Sequence, residues 1–283
     1  MPNIDNISDK MLRLTLRFTP NTLTFSVGDP KQIDTIVYEP YTLNNAISAA
    51  ANLREAFKQV ELLQSGYTRA LVLTDSPTLL IPTEEFDEQQ VEALYGYAFT
   101  PSKSDEILWR QIPNLNAVAV FSINKDLKMV IDSHFKDIRY TTLTEPVWTH
   151  FYKRNFDGTR AKLFAYFYEK KMNVFSFAQN RFTFCNTFEA KHPKDALYYL
   201  LYTWKQLGMD NRADQLYVMG DVTEEGWMNE QLQKFISHVL FIKPETDFAQ
   251  TTMASDKRIP YDLKAVYLDE EGWANTSTQI KNA

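Results

Sequence analysis

Glycine is scarce in this chain, with eight residues in 283. That scarcity bears on phosphate chemistry, because backbone N–H groups close in on phosphate oxygens most readily where glycine permits unusual φ/ψ. No P-loop, no G-x-G-x-x-G fingerprint and no G-x-S-x-G elbow occurs. Cysteine is scarcer still: Cys185 stands alone, which excludes an intramolecular disulfide and any cysteine-based zinc spacing. The four histidines, His134, His150, His192 and His238, include no pair four residues apart, so no helical zinc pair is encoded. No apolar run approaches the ~20 residues that span a bilayer. Residues 1–10 are polar and lack a basic segment leading into an apolar one. These absences predict a cytoplasmic protein without membrane insertion. A formal net charge of −6 disfavours a nucleic-acid partner held through phosphates.

What is present suits a substantial core: 44% of residues are hydrophobic and 14% aromatic. Leu12, Leu14, Leu16 and Phe18 alternate with Arg13, Thr15 and Arg17, which predicts a half-buried strand. Thr19-Pro20-Asn21 turns the chain into a second alternating strand to Val27, and a third spans Ile33–Tyr38. Thr42 is the expected N-cap of a long helix with Leu43, Ala46, Ile47, Ala50, Leu53 and Phe57 on its apolar face. The run Arg69–Asp75 reads as a buried parallel strand. Beyond it come a strand at 78–82, a helix capped by Asp87 and Gln90, a polar loop at 100–105 and a strand at Ala117–Ile123. Asn124 then caps a helix, Ile138–Leu143 is a strand, and Glu145-Pro146 opens a further helix.

Residues 155–159 form the best linker, after which the pattern begins again. Three meandering strands (161–168, 172–178, 181–187), a helix from Pro193 and a buried strand at Leu216–Met219 repeat the order of the first half. Thr223 is the expected cap of the next helix, and Val239–Ile242 a last strand before a polar tail. The repeat recurs at offsets of about 146 to 150 residues with almost no residue identity. The expected division is a first lobe at 1–155, with an insertion at about 76–116, and a second at 156–283.

Three meandering strands followed by a helix, a parallel strand and further α/β units form the ribonuclease H-like plan. Two such βββαβα-type lobes with an insertion in the first make the duplicated actin-like ATPase fold, an α/β class. The stretches L-R-L-T-L-R-F-T-P-N-T-L-T-F-S-V-G-D and L-Y-V-M-G-D resemble an uncharacterised bacterial family, a domain of unknown function similar to actin-like ATPases. V-A-V-F-S-I-N-K-D-L-K-M-V-I-D is similar to the strand-helix-strand that closes the first half in pilus- and secretion-assembly relatives.

That resemblance implies a nucleotide between two phosphate-binding hairpin turns, one per lobe, each carrying an acidic residue and glycines. Here the first turn, Thr19-Pro20-Asn21-Thr22, has neither, and Pro20 has no N–H. The second, Glu169-Lys170-Lys171, also lacks glycine and reads as a solvated charged turn. The resemblance further implies a glycine pair on the adenosine side, and Gly220-Asp221 is half of it. Asp75 ends a parallel strand, where α/β sites lie. Gly220, Asp221 and Asp75 are therefore the cofactor-binding candidates if the chain still binds ATP with magnesium. The expectation is no cofactor, no resident metal and no catalytic residue. Strands 12–18 and 161–168 contain no acid, which excludes a two-metal nuclease of this fold. Glu84, Glu85, Asp87 and Glu88 suit a helix start. Tyr198 and Tyr202 lie off the leucine stripe of their helix, where an interface or a covered sheet edge are equally good readings. The leading reading is a non-catalytic scaffold that binds an unidentified protein partner. The alternatives are a diverged ATPase or kinase, and a small-molecule sensor using the inter-lobe cleft.

Overall fold

The computed structural model describes residues 12–29, 32–154, 160–179 and 181–268. The chain divides into two compact units, one holding residues up to Glu145 and from Val266, the other Pro146–Ala265.

In the first unit, β1 (Leu14–Phe18), β2 (Leu23–Asp29) and β3 (Gln32–Tyr41) form an antiparallel meander. β4 (Arg69–Thr74) and β8 (Asp137–Thr142) extend it in parallel, giving the order β3-β2-β1-β4-β8. The alternation in β1 predicts one wet face, yet every residue of the strand is buried. The polar face is covered from the far end of the chain, where the Tyr267 hydroxyl donates to Ser26 Oγ at 2.8 Å. Helices α1 (Ala49–Gln59) and α4 (Lys125–His134) pack together. The short α2 (Glu61–Gln64) precedes Gly66, which turns the chain at φ 81°.

α1 starts six residues later than its apolar spacing predicts. Its cap is Ser48, whose side chain accepts from Ala51 N–H, rather than Thr42. The preceding loop is held open by asparagines instead. Asn44 accepts from Ala46 N–H, and Asn52 donates to the carbonyls of Asn44, Ile47 and Ser48.

A separate three-stranded sheet has the order β5-β7-β6, from β5 (Leu79–Pro82), β6 (Asp105–Ile112) and β7 (Ala117–Asn124), with α3 (Val91–Ala98) beside it. The inserted material therefore runs to Asn124 rather than 116. β6 escapes sequence reading because Arg110 interrupts its apolar pattern while being buried against Glu145 at 2.9 Å.

The second unit repeats the arrangement. β9 (Lys162–Tyr168), β10 (Lys171–Ala178) and β11 (Arg181–Glu189) meander, and β12 (Gln215–Gly220) and β13 (Val239–Ile242) run parallel to β9, giving β11-β10-β9-β12-β13. One face packs on α6 (Pro193–Gln206) and α7 (Glu225–Gln233) through Leu200, Trp204, Met228 and Leu232. On the other face the phenyl rings of Phe164 and Phe175 stack at 4.9 Å, beside Phe151 of α5 (Glu145–Lys153). Trp148 of that helix donates to Asn173 at 2.8 Å. These contacts place the division at 145/146, ten residues before the expected boundary; the linker read at 155–159 lies outside the described residues.

Two further expectations change. α7 is entered through Glu224 at φ 53°, not through a Thr223 cap. The tail after β13 is not simply polar: it forms α8 (Pro244–Asp247) and α9 (Tyr261–Leu268), and α9 is buried from Tyr261 to Tyr267. Asp262 on α9 accepts from Tyr166 at 2.9 Å, so a buried polar contact hides this helix from hydropathy.

Candidate functional site

The β1–β2 turn is built around one hydroxyl. Thr19 N–H donates to the Thr22 carbonyl at 3.0 Å. Asn21 N–H and Thr22 N–H both donate to Thr19 Oγ1, at 3.3 and 2.9 Å. Pro20 has no N–H, so every main-chain donor of the turn is engaged within it. Arg17, buried in β1, adds a bond to Thr22 Oγ1 at 3.2 Å. An anion cradle, by contrast, has its main-chain donors pointed outward.

Beside this turn lies a cavity of about 480 Å³ within the first unit, a size usual for small-ligand pockets. Its wall joins the turn, the carboxyl end of β4 at Asp75, the asparagine loop before α1, and the start of α4. Two helix N-termini reach it, and each is closed by its own cap. Ser48 serves α1, and the Asn124 side chain accepts from Asp126 and Leu127 N–H. The charged residues among the described lining are Asp75 and Asp105. Asp105 also accepts from Ser102 N–H at 3.0 Å.

The second unit carries a matching construction at the same place in its sheet. Phe18 pairs with Thr74 in one, and Phe167 with Gly220 in the other. The next residue in each donates back to the first strand: Asp75 N–H to Phe18 O at 3.0 Å, and Asp221 N–H to Phe167 O at 2.9 Å. Asp75 and Asp221 thus hold equivalent positions in the two repeats. Gly220 has φ 88°, and a Cβ there would lie 2.1 Å from the Phe167 carbonyl oxygen. Glycine is required at that point by close backbone approach. The hairpin turn before it places Glu169 and Lys170 at φ 43° and 64°, a left-handed pair suited to a two-residue hairpin.

Residues 2–239 match the protein family described as "Protein of unknown function (DUF3822)". The chain belongs to this family. A protein from Bacteroides thetaiotaomicron VPI-5482 with actin-like ATPase fold and unknown function is similar over 94% of this chain and 98% of its own, at TM-score 0.80 and 23% identity. A chain of the PilM–PilN type IV pilus biogenesis complex is similar over 92% of this chain and 98% of its own, at TM-score 0.60 and 8% identity. No curated protein matches. The DUF3822 chain therefore has the actin-like ATPase fold, the duplicated α/β architecture expected from its sequence.

Of the candidates named from sequence, Asp75 belongs to the first unit, and Gly220 and Asp221 to the second. The asparagines at 44 and 52 were not legible as a site, because their role depends on a loop where helical spacing predicts a helix. Among the described residues of this DUF3822 protein, no group of three or more His, Cys, Asp or Glu is placed to hold a metal ion. No described helix is long and apolar enough to cross a membrane. Cys185 accepts from Asn173, and burial pushes its thiol up to about 12, the reverse of an activated nucleophile. His134 stacks on Phe57 at 3.6 Å, and His150 bonds Asp247 at 2.8 Å. Tyr198 and Tyr202 stack on each other while more than half and half exposed, at 62% and 50%.

Proposed function

We propose that this DUF3822 chain is a non-catalytic protein of the actin-like ATPase fold that works by binding a protein partner. One observation carries the reading: the turn that would grip a phosphate in the first unit uses all its main-chain donors on Thr19 and Thr22. The cavity beside it adds two carboxylates, which repel a triphosphate. The exposed Tyr198–Tyr202 pair supplies aromatic surface of the kind enriched at interfaces. The PilM–PilN complex is a precedent for this fold in an assembly of two proteins. Isothermal titration with ATP and magnesium is the test, and no saturable heat at millimolar nucleotide is expected. Micromolar binding would overturn the proposal.

The equivalent placement of Asp75 and Asp221 favours the rival reading, a diverged ATPase. It requires magnesium-dependent turnover that disappears in Asp75→Ala or Asp221→Ala. Absence of turnover in the unaltered protein, with every common nucleotide and divalent metal, removes it.

A further inference from the structure

The two five-stranded sheets end differently on their parallel side. In the first unit the last strand is β8, buried from Arg139 to Thr142, with β6 and β7 of the inserted sheet packed against it. In the second unit the equivalent strand is β13, Val-Leu-Phe-Ile, which no further strand covers among the described residues. Its main-chain phase follows from one bond: Leu216 N–H donates to the His238 carbonyl at 2.9 Å. In a parallel ladder this turns the N–H and C=O groups of His238, Leu240 and Ile242 toward β12. Those of Val239 and Phe241 point the other way, and among the described residues they meet no main-chain partner.

β13 also lacks the devices that blunt an edge, which are charge, proline and bulges. Its residues are apolar and its register with β12 is unbroken. The far edge of the same sheet is blunted: β11 carries Arg181 and Glu189 at its ends, and its pairing shifts register between Ser176 and Phe177. Apolar surface is cut off at β13 as well. Phe175, Phe164 and Tyr217 stack in a row across the sheet, at 4.9 and 5.0 Å. Leu240 is next in that row, opposite Tyr217, and is 43% exposed. Phe235, in the turn before the strand, is 55% exposed.

We propose that two copies of this chain pair their β13 edges antiparallel, about a two-fold axis at Leu240. Only another extended backbone offers N–H and C=O groups at the spacing that Val239 and Phe241 require. With Leu240 opposite its counterpart, Val239 of each copy faces Phe241 of the other, and each such pair exchanges both of its bonds. The two leucines form the closer, non-hydrogen-bonded pair, and the aromatic row runs on from one sheet into the next. Charge fits the same arrangement. Exposed Lys234 precedes the strand and exposed Glu245 follows it, while Lys243 is engaged by Glu225. Antiparallel pairing sets the Lys234 end of each copy against the Glu245 end of the other, whereas parallel pairing sets like against like. The two-fold uses up both edges, so assembly stops at a dimer. An edge of four residues buries little surface, which makes the dimer a weak one, dissociating in the micromolar range.

Sedimentation equilibrium of the full chain from about 5 to about 500 micromolar, with hydrogen exchange at both extremes, is the test. A monomer–dimer equilibrium is expected, with the Val239 and Phe241 amides protected only at the high concentration. Leu240→Lys puts like charges face to face and should weaken the dimer at least about tenfold, while Leu240→Met should keep it. Lys234→Glu and Glu245→Lys should each weaken it, and the double swap should restore it. Circular dichroism checks that each variant is folded. A monomer at every concentration overturns the proposal, as does a dimer that Leu240→Lys leaves intact. Protection of Val239 and Phe241 in a monomer overturns it too, because another segment then covers the edge.

Discussion

The two hairpin turns that share one place in the repeated sheets both lack glycine, and they turn the chain in opposite ways. In the first, Pro20 holds φ near −65° by its ring and Asn21 stays at negative φ. The turn thus has the wrong hand for the strand twist and is held by hydroxyls: Thr19 collects two N–H groups and shares a 2.9 Å bond with Thr22. In the second, Glu169 and Lys170 adopt the left-handed conformation that the twist prefers, at a cost of order 1 kcal/mol for each residue with a Cβ. One turn is satisfied but misdirected, and the other is well directed but strained. The strands behind them differ correspondingly. Thr74 ends β4 where Gly220 ends β12, and only the second requires glycine. Neither turn has a glycine, yet both units have an aspartate one step beyond the neighbouring strand end, with its N–H bonded to the first strand. The two units share the register of the sheet and differ in the turns.

The largest expected effect breaks this comparison at Gly220. Gly220→Ala places a Cβ against the Phe167 carbonyl oxygen at a left-handed φ, and should cost about 3 kcal/mol or more. Thr74→Ala, at the equivalent position, should cost clearly less. Urea unfolding of both variants makes the measurement, and equal losses would show the two strand ends to be alike. Next comes Thr19→Val, which keeps the shape and removes the hydroxyl. Two N–H groups then lose their acceptor, for about 1 to 2 kcal/mol, part of it recovered by water because Asn21 is exposed. If Thr19→Val instead leaves stability unchanged, the hydroxyl is not what holds the turn. The opposite sign is expected for Glu169→Asn with Lys170→Gly. This pair installs the residues preferred at two left-handed positions and should raise stability by about 1 kcal/mol. The same pair at Pro20 and Asn21 has no such strain to relieve.

Much of this symmetry was legible in the sequence, and its limits have physical causes. The meanders, the helix from Pro193 and both parallel strands follow from periodicity, since a central strand buried on two faces reads as an apolar run. Asp75 and Asp221 could each be picked out at the end of a strand, but not as equivalents, because equivalence depends on register between strands far apart in sequence. The missing glycines were visible at both turns; the capture of N–H groups by Thr19 was not, since threonine in a turn has several uses. The late start of α1 was hidden because Leu43 and Ile47 fall at helical spacing, while the Asn44–Asn52 bonds that override it are tertiary. Likewise β6 and α9 bury Arg110 and Asp262, and a buried charge whose partner lies far along the chain defeats any pattern of polarity.

The smallest effect sharpens the comparison at the opposite end of the sheets. Arg13, Arg69 and Asp137 meet there, with Arg69 Nε at 2.9 Å from Asp137 Oδ2. Counting back from the paired strand ends, the second unit has Lys162, Gln215 and His238 at these places. The hydrogen bond from Arg13, joined by that from Arg69, holds the Asp137 carboxyl below its ordinary 3.8. A carboxylate depressed in the folded state stabilises above its unfolded value and loses that contribution as pH falls through the folded one. The first unit should therefore weaken between about pH 4 and the still lower folded value, by well under about 1 kcal/mol, because the Asp137 side chain is 47% exposed. The matching end of the second sheet lacks this carboxylate, so no loss of this origin is expected there, although Asp256, beside Arg258, and Asp210, beneath the Arg212 and Ala213 N–H groups, are also held below the ordinary value in that unit. Hydrogen exchange of β4 and β12 amides across this pH range reads the difference directly. Asp137→Asn should lower β4 protection at neutral pH and flatten its acid dependence, while leaving β12 untouched. If β4 in that variant still weakens on acidification as steeply as in the unaltered chain, another group governs the acid response, and the two sheet ends differ in sequence without differing in energy.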